Sequence, residues 1–496
     1  MYSFLCYVCY GFLVIIFVLV ASLMLLSKRM NGYWKRKEVF TVNPILCFGN
    51  AKDVILQRKC LGVNVKEFYD NLKMSGQRFG GYYLLIKPVL VIADLDLVNT
   101  ILIKDFDYFT DRPLHVNEED LLSAHIVALK GEKWKKLKSL LNSAFTLRKL
   151  QMSFDIVFSC CKKVEIEVRE MVQQSKAIDI LDVITRLNLD IIGTSAFGVD
   201  VDSAELQKCG RGFLHAESVK TSLIQILAML FPEMVNFLKL KVYSEEMTEY
   251  FVNFVKQVVE HRKNNNIVRK DLMQSLLQLM NGEEGLSMKE IVAHCFAFLL
   301  GGFETPSSVG AFCIYELSIN QHLQDKIRKE IEHVLKTNDG EITYNTLSEL
   351  KFMDRCICET LRKYPSTMVL TRICTRTYQI PNSNVTISKG TPLIVPVYGI
   401  QMDPAYYPNP NQFDPERFSE ENKASRPSTA WLPFGDGPRM CIAPRLGFLQ
   451  IKMALFTLLR TYKFVLHPST EVPMRLNTKH FLMSPASKIL VNAEEV

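Results

Sequence analysis

From residue 132 to about 343 apolar positions recur every three to four residues, which predicts amphipathic helices broken at Phe197-Gly198, Phe231-Pro232 and Asn281-Gly282. Residues 82–93 instead alternate and cluster aromatic and branched side chains as strands do, with Gly80-Gly81 ahead of them as a turn. Turn-rich pieces return after Pro365: Pro381-Asn382 and Lys389-Gly390 are turn signals, 404–427 reads as an ordered meander, and 471–496 reads as short strands. The pattern predicts a mainly α fold with a small β portion, without internal repeats. Two helices stand out. In 290–319, Ala297, Gly301 and Thr305 recur every four residues and form one face of small side chains beside Phe296 and Phe298, where a flat ligand or a crossing helix can lie. The other runs through Leu446, Leu449, Met453 and Phe456, and Pro444 fixes its start, because proline fits only a first helical turn.

Residues 1–27 carry no charge and are strongly apolar. At about 1.5 Å per residue they are long enough to cross a bilayer core of about 30 Å. Lys28, Arg29, Lys35, Arg36 and Lys37 follow, an order opposite to that of a cleaved signal peptide, so a retained anchor with the downstream chain in the cytosol is expected. Tyr33 and Trp34 are expected at the membrane interface. These five basic residues and Glu38 contribute +4 of the formal +7, leaving +3, which favours anionic lipid and excludes a nucleic-acid reading. The thirteen cysteines show no disulfide-like spacing, as suits a reduced compartment.

Phe434-Gly435-Asp436-Gly437-Pro438-Arg439-Met440-Cys441-Ile442-Ala443 sets one cysteine between a glycine-rich loop and a helix start. Free N–H groups and the positive dipole end there favour a thiolate, the metal-binding form. Gly435 and Gly437 let the backbone bend beside a flat ligand, and Arg439 adds a fixed cation. Glu359 and Arg362, three apart on a helix, would alone read as a surface ion pair, and His294 as a core or surface histidine. Arg445 and Lys452, beside the cysteine, are candidates for a basic docking face.

The cysteine segment resembles the haem-ligand loop of the cytochrome P450 family, and Gly301-Gly302-Phe303-Glu304-Thr305 matches its oxygen-activation motif. Glu359-Thr360-Leu361-Arg362 followed by Phe413-Asp414-Pro415-Glu416-Arg417-Phe418 keeps the family's spacing. Residues 186–193 and 259–266 are similar to the insect microsomal branch that handles foreign compounds and plant toxins. The resemblance implies the P450 fold preceded by one transmembrane helix: a 1–27 anchor, a 28–45 basic juxtamembrane linker and a 46–496 catalytic domain. It implies haem b with Cys441 as axial thiolate, Phe434, Gly301 and Ala297 beside it, and Arg439, Arg372, Trp134, Lys138 and Arg112 around its propionates. It makes Glu304 and Thr305 the catalytic pair for dioxygen and protons, and Glu359, Arg362 and Arg417 a buried structural network. Three departures mark this chain: Lys138 for arginine, Ala443 for glycine, and Pro306 for serine or threonine. Pro306 removes the N–H that would serve the Gly302 carbonyl and is expected to hold the helix open there.

The implied activity is a monooxygenase of the endoplasmic reticulum membrane. It would act on small hydrophobic substrates, with NADPH-derived electrons from cytochrome P450 reductase and cytochrome b5 as a further donor. Residues 113–123, 212–240, 366–371 and 481–485 are expected to line the pocket. The rivals are a haem-thiolate isomerase or dehydratase, against which Glu304-Thr305 argues, and a non-catalytic membrane-tethered haem or lipid binder.

Overall fold

The computed structural model describes residues 27–496 except 115, 117–119, 143–144, 200–205, 207–223, 225, 229, 242, 270 and 281–284, and only scattered positions before 27. Most of the expected anchor, Asn281-Gly282 and part of the expected pocket lining therefore lie outside the described residues. The fold is mainly helical. Its principal helices are α1 (Leu61–Met74), α2 (Gly131–Asn142), α3 (Leu147–Gln173), α4 (Ile180–Ile192), α5 (Glu245–Asn264), α6 (Met288–Ile319), α7 (Gln321–Thr337), α8 (Lys351–Lys363) and α9 (Pro444–Thr461).

Strands β1 (Phe79–Leu84), β2 (Lys87–Ile92), β3 (Leu370–Ile373) and β4 (Pro392–Val395) form a sheet in the order β1-β2-β4-β3. Its β2–β4 pair is parallel, with Leu90 opposite Leu393, and β3 runs antiparallel to β4, with Arg372 opposite Leu393. At the C-terminus β5 (Tyr462–Leu466) pairs with β6 (Leu490–Glu495). Within 471–496 the only named strand is β6, joined by an isolated bridge between Leu476 and Pro485.

Gly80 and Gly81 belong to β1 rather than to a turn before it. The reason is Trp34, which is fully buried: a Cβ on Gly81 would stand 2.1 Å from its ring, so the strand needs glycine where the indole crosses it. Trp34 N donates to Tyr83 Oη at 3.0 Å and its indole N–H to Tyr82 O at 3.3 Å. Trp34 thus plugs the sheet and does not sit at a membrane interface.

α6 opens with a capping box, Ser287 Oγ accepting from Glu290 N while Glu290 Oε2 accepts from Ser287 N. Among the described residues it is the helix long and apolar enough to cross a membrane, but most of it is buried inside the protein, as its all-round apolar sequence requires. Ile291 to Phe303 contribute to one apolar cluster with α2 and α5, and Val309 to Leu317 to another with α3, α8 and α9. The changeover falls at 304–308, so the oxygen-motif turn lies where two cores meet. α4 packs along α6, and a Cβ on Gly302 would lie 2.3 Å from Ile192 Cδ1.

Candidate functional site

Cys441 sits where the sequence puts it. Pro444 is the first residue of α9, Ala443 its N-cap, and Cys441 N donates to Phe434 O at 2.8 Å, closing the loop. Gly435 and Gly437 have φ of 72° and 68°, and a Cβ on Gly437 would meet Leu102 O at 1.9 Å, so glycine is obligatory there. Ala443 has φ of −124°, a conformation open to any residue, so alanine in place of glycine costs the backbone nothing. The thiol itself departs from expectation. Cys441 is exposed at the residue level, yet the protein packed around its sulfur raises the thiol pKa by desolvation, against the Ala443 N–H and the nearby Arg112 and Lys138 that draw it down. In the protein alone a proton is therefore favoured on sulfur, and deprotonation would have to accompany metal binding.

A second face, of small side chains, comes from α6, which packs against α9. In a stretch otherwise mostly buried, Gly301 is exposed and Ala297 and Thr305 are partly exposed, the same four-residue spacing read from the sequence. Apart from its chain neighbours and the backbone of its own helix, nothing lies within 4 Å of where a Gly301 Cβ would stand. Thr305 Oγ1 donates to Gly301 O at 2.7 Å, and Glu304 beside it is buried. Ser366 Oγ donates to Thr305 O at 3.4 Å, and Met483 N donates to Ser366 O at 2.9 Å, so the 366–371 and 481–485 stretches meet beside this turn.

Four cations converge on the cysteine side. Ile373 N donates to Asp111 O, a bridge that lays Arg112 alongside Arg372 on β3. Arg112 Nη2 donates to Arg439 O at 2.9 Å. Arg439 gives N–H bonds to the carbonyls of Thr110, Ile126 and Leu129, and its guanidinium lies 3.8 Å from the Trp134 ring centroid. Lys138 does not reach beyond the loop: its ammonium bonds the Pro438 and Met440 carbonyls, bracing the cysteine segment from α2. Lysine suits that task because a compact point charge needs no planar partner.

Burial, together with Arg112 and Arg439, pushes Arg372 down to about 9; burial and Arg112 push Arg439 to about 9. Burial takes Arg112 to about 10 against the pull of Cys441, and burial with the same arginines lowers Lys138. Guanidinium stays charged at neutral pH, so these shifts register chiefly the cost of taking charge out of water, with neighbouring cations adding to it at Arg372, Arg439 and Lys138. Arg372 is 1% exposed, bonds only Thr371 O through Nη1, and leaves its Nε without a partner. Among the described residues none of the four cations forms an ion pair with a carboxylate. A buried excess of cations with an orphaned donor, beside a thiol and a face of small side chains, fits a flat dianionic ligand such as haem with its two propionates.

The third sequence-derived cluster is self-contained. Arg362 makes a two-pronged bond to Glu359 at 2.7 and 2.8 Å, Arg417 Nε lies 3.4 Å from Glu359 Oε1, and Asp414 N donates to Glu359 at 2.9 Å. Remaining Arg362 donors hold the Gln401 and Pro410 carbonyls of the meander.

Lys452 corrects another expectation. It is 5% exposed and its Nζ lies 2.5 Å from Asp354 of α8, an internal ion pair and no part of a docking face; Arg445 is exposed. His294 is a core histidine, 1% exposed, with Nδ1 unpartnered. Sequence reading missed Gln450, 1% exposed on α9, whose Nε2 donates to Gly302 O at 3.0 Å. A lone amide between Leu449 and Ile451 in a buried stripe was the available signal.

A model of the family described as cytochrome P450 matches residues 41–492. The chain is 34% identical over 498 residues to "Probable cytochrome P450 6a23" of Drosophila melanogaster, covering 98% of this chain and 99% of that protein. It is 35% identical over 502 residues to cytochrome P450 6A1 of Musca domestica, covering 98% of each. Against cytochrome P450 6k1 of Blattella germanica it is 32% identical over 513 residues, covering 98% of this chain and 97% of that protein.

Proposed function

The chain belongs to the cytochrome P450 family and is a P450 monooxygenase, and we propose that it is a membrane-anchored enzyme inserting one oxygen atom of dioxygen into small hydrophobic xenobiotics, plant toxins or endogenous lipids. Electrons would come from NADPH through cytochrome P450 reductase, with cytochrome b5 as a second donor, and residues 46–496 would form the catalytic domain on the cytosolic face of the endoplasmic reticulum. The anchor reading is supported by the uncharged 1–27 segment, the basic cluster after it, and exposed Tyr10, Val14, Val18 and Leu25.

The observation that carries the reading is Cys441 beside four cations that lack a described carboxylate partner. Cys441 would hold the iron of haem b, and Arg372, Arg112 and Arg439 its propionates. Trp134 would support Arg439, and Phe434 would close the loop. When bound, haem supplies the redox centre for dioxygen activation, and a thiolate ligand raises its electron density. The protein's part is positioning and proton supply. Ala297 and Gly301 leave room for a flat ring, and Thr305 offers a hydroxyl fixed by the Gly301 carbonyl. Glu304 would pass protons along that turn.

Thr305→Ala and Glu304→Gln test this in purified protein reconstituted with reductase. Both should retain haem and consume NADPH, with the NADPH used per product rising about tenfold or more and the excess appearing as peroxide or water. Unchanged coupling in both variants would remove the proton role.

A further inference from the structure

We propose that Gln450 is a positioning residue: its side-chain amide replaces the backbone N–H that Pro306 lacks and thereby ties the helix following Cys441 to the turn that carries Thr305. Proline has no N–H to give to the carbonyl four residues back. That carbonyl, Gly302 O, instead accepts from Gln450 Nε2 at 3.0 Å. Its two neighbours are also held by side chains. Gly301 O accepts from Thr305 Oγ1 at 2.7 Å, and Phe303 O accepts from Ser307 Oγ at 2.5 Å. Ser307 Oγ in turn accepts from Asn188 Nδ2 on α4 at 3.0 Å.

Three successive carbonyls are thus each bonded by a side chain, and the middle one takes its donor from another helix. Gln450 is buried among Leu449, Ile451 and Met453, so its amide has little freedom to turn elsewhere. On the opposite flank Gly302 has no room to shift toward α4, because a Cβ there would already overlap Ile192. The turn is therefore pinned between α4 and α9. α9 starts at Pro444, three residues after Cys441, and the loop before it is closed by the Cys441 N–H to Phe434 O bond. A displacement of the cysteine loop would reach Gly302 through one rigid helical segment of about 10 Å.

The clamp stands on geometry alone; its effect on oxygen chemistry rests on the reading of Thr305's turn given above. The test uses purified full-length holoenzyme carrying Gln450→Leu, Pro306→Ser, both together, or Gln450→Glu. Two readouts are taken: amide hydrogen exchange in peptides spanning 297–308, and the share of NADPH electrons released as hydrogen peroxide with reductase.

Gln450→Leu strands a buried carbonyl and should speed exchange at this turn about tenfold while raising the peroxide share. In the Pro306→Ser background the restored N–H serves Gly302, and the same Gln450→Leu substitution should change exchange by less than about twofold. Gln450→Glu cannot donate when ionised, so its peroxide share should fall as pH is lowered and the carboxyl takes a proton. Equal effects of Gln450→Leu in both backgrounds would overturn the replacement of one donor by the other. A background-dependent exchange effect with unchanged electron partition would overturn the functional coupling, and the Thr305 and Glu304 variants then show whether the oxygen-site reading failed with it.

Discussion

Two groups of buried arginines occupy this protein, and they differ in what balances them. Around Glu359 the carboxylate meets Arg362 through two short bonds, with Arg417 close by, and leftover donors hold meander carbonyls. Around Cys441, Arg112, Arg372 and Arg439 join Lys138 without a described carboxylate partner; an Nε lacks a hydrogen bond in each cluster, but that of Arg417 lies 3.4 Å from Glu359 whereas that of Arg372 has no described carboxylate beside it. Burial raises the Glu359 pKa despite its arginines, so even the balanced cluster carries a desolvation cost. The unbalanced one has that cost offset by carbonyls and the Trp134 ring but by no described carboxylate. A closed network of buried charge holds a fold together; an open one of a single sign is a binding site for the missing sign.

Removing the balancing charge should show the largest effect. Glu359→Gln leaves Arg362 and Arg417 buried without an anion, and a loss of about 3–5 kcal/mol in stability is expected, seen as poor recovery of folded protein and a lowered denaturation midpoint. Haem-free and haem-loaded protein should suffer alike. If the variant folded normally, the closed cluster would not be a structural lock.

Arg372→Gln should do the reverse. It relieves repulsion with Arg112 and Arg439, so haem-free protein should be as stable as the parent or more so. Haem retention, followed by transfer to an acceptor protein, should weaken by about 2–5 kcal/mol. Destabilised apoprotein with unaltered haem affinity would merge the two clusters into one structural class.

His294 sharpens the contrast from a third side, as a buried group with neither ion partner nor proposed ligand. Burial pushes its pKa down to about 4, against a weak upward pull from Glu290. The unfolded chain binds its proton near pH 6.5 and the folded chain does not, so stability is full above about 6.5 and falls as pH drops toward about 4. The loss from this group should reach about 2 kcal/mol by pH 5, and His294→Gln should lessen the slope in denaturation series across pH 4–7, the remainder coming from His125, which burial pushes down to about 3.

What could be read in advance follows a physical line. Gly435, Gly437, Pro444 and the Ser287–Glu290 cap act within a few residues of themselves, so the cysteine loop and both key helices were legible. The surroundings of Trp34, Lys138, Lys452 and Gln450 were not legible because their partners lie 48 to 302 positions away, as with Trp34 and Tyr82 or Lys138 and Met440. Charge alone suggested surface for Lys452, whereas Asp354 draws it inside. Arg112, a minor candidate by sequence, lies within the cation cluster because the Asp111 to Ile373 bridge carries it to Arg372.

The central claim, that the open cluster and its cysteine hold haem through sulfur, is tested most directly by the carbon-monoxide difference spectrum of the reduced protein, comparing the parent with Cys441→Ser at matched folded concentration. The parent should show the band characteristic of thiolate ligation and the variant should lose it while keeping its helical content. That band at normal intensity in Cys441→Ser would contradict the account.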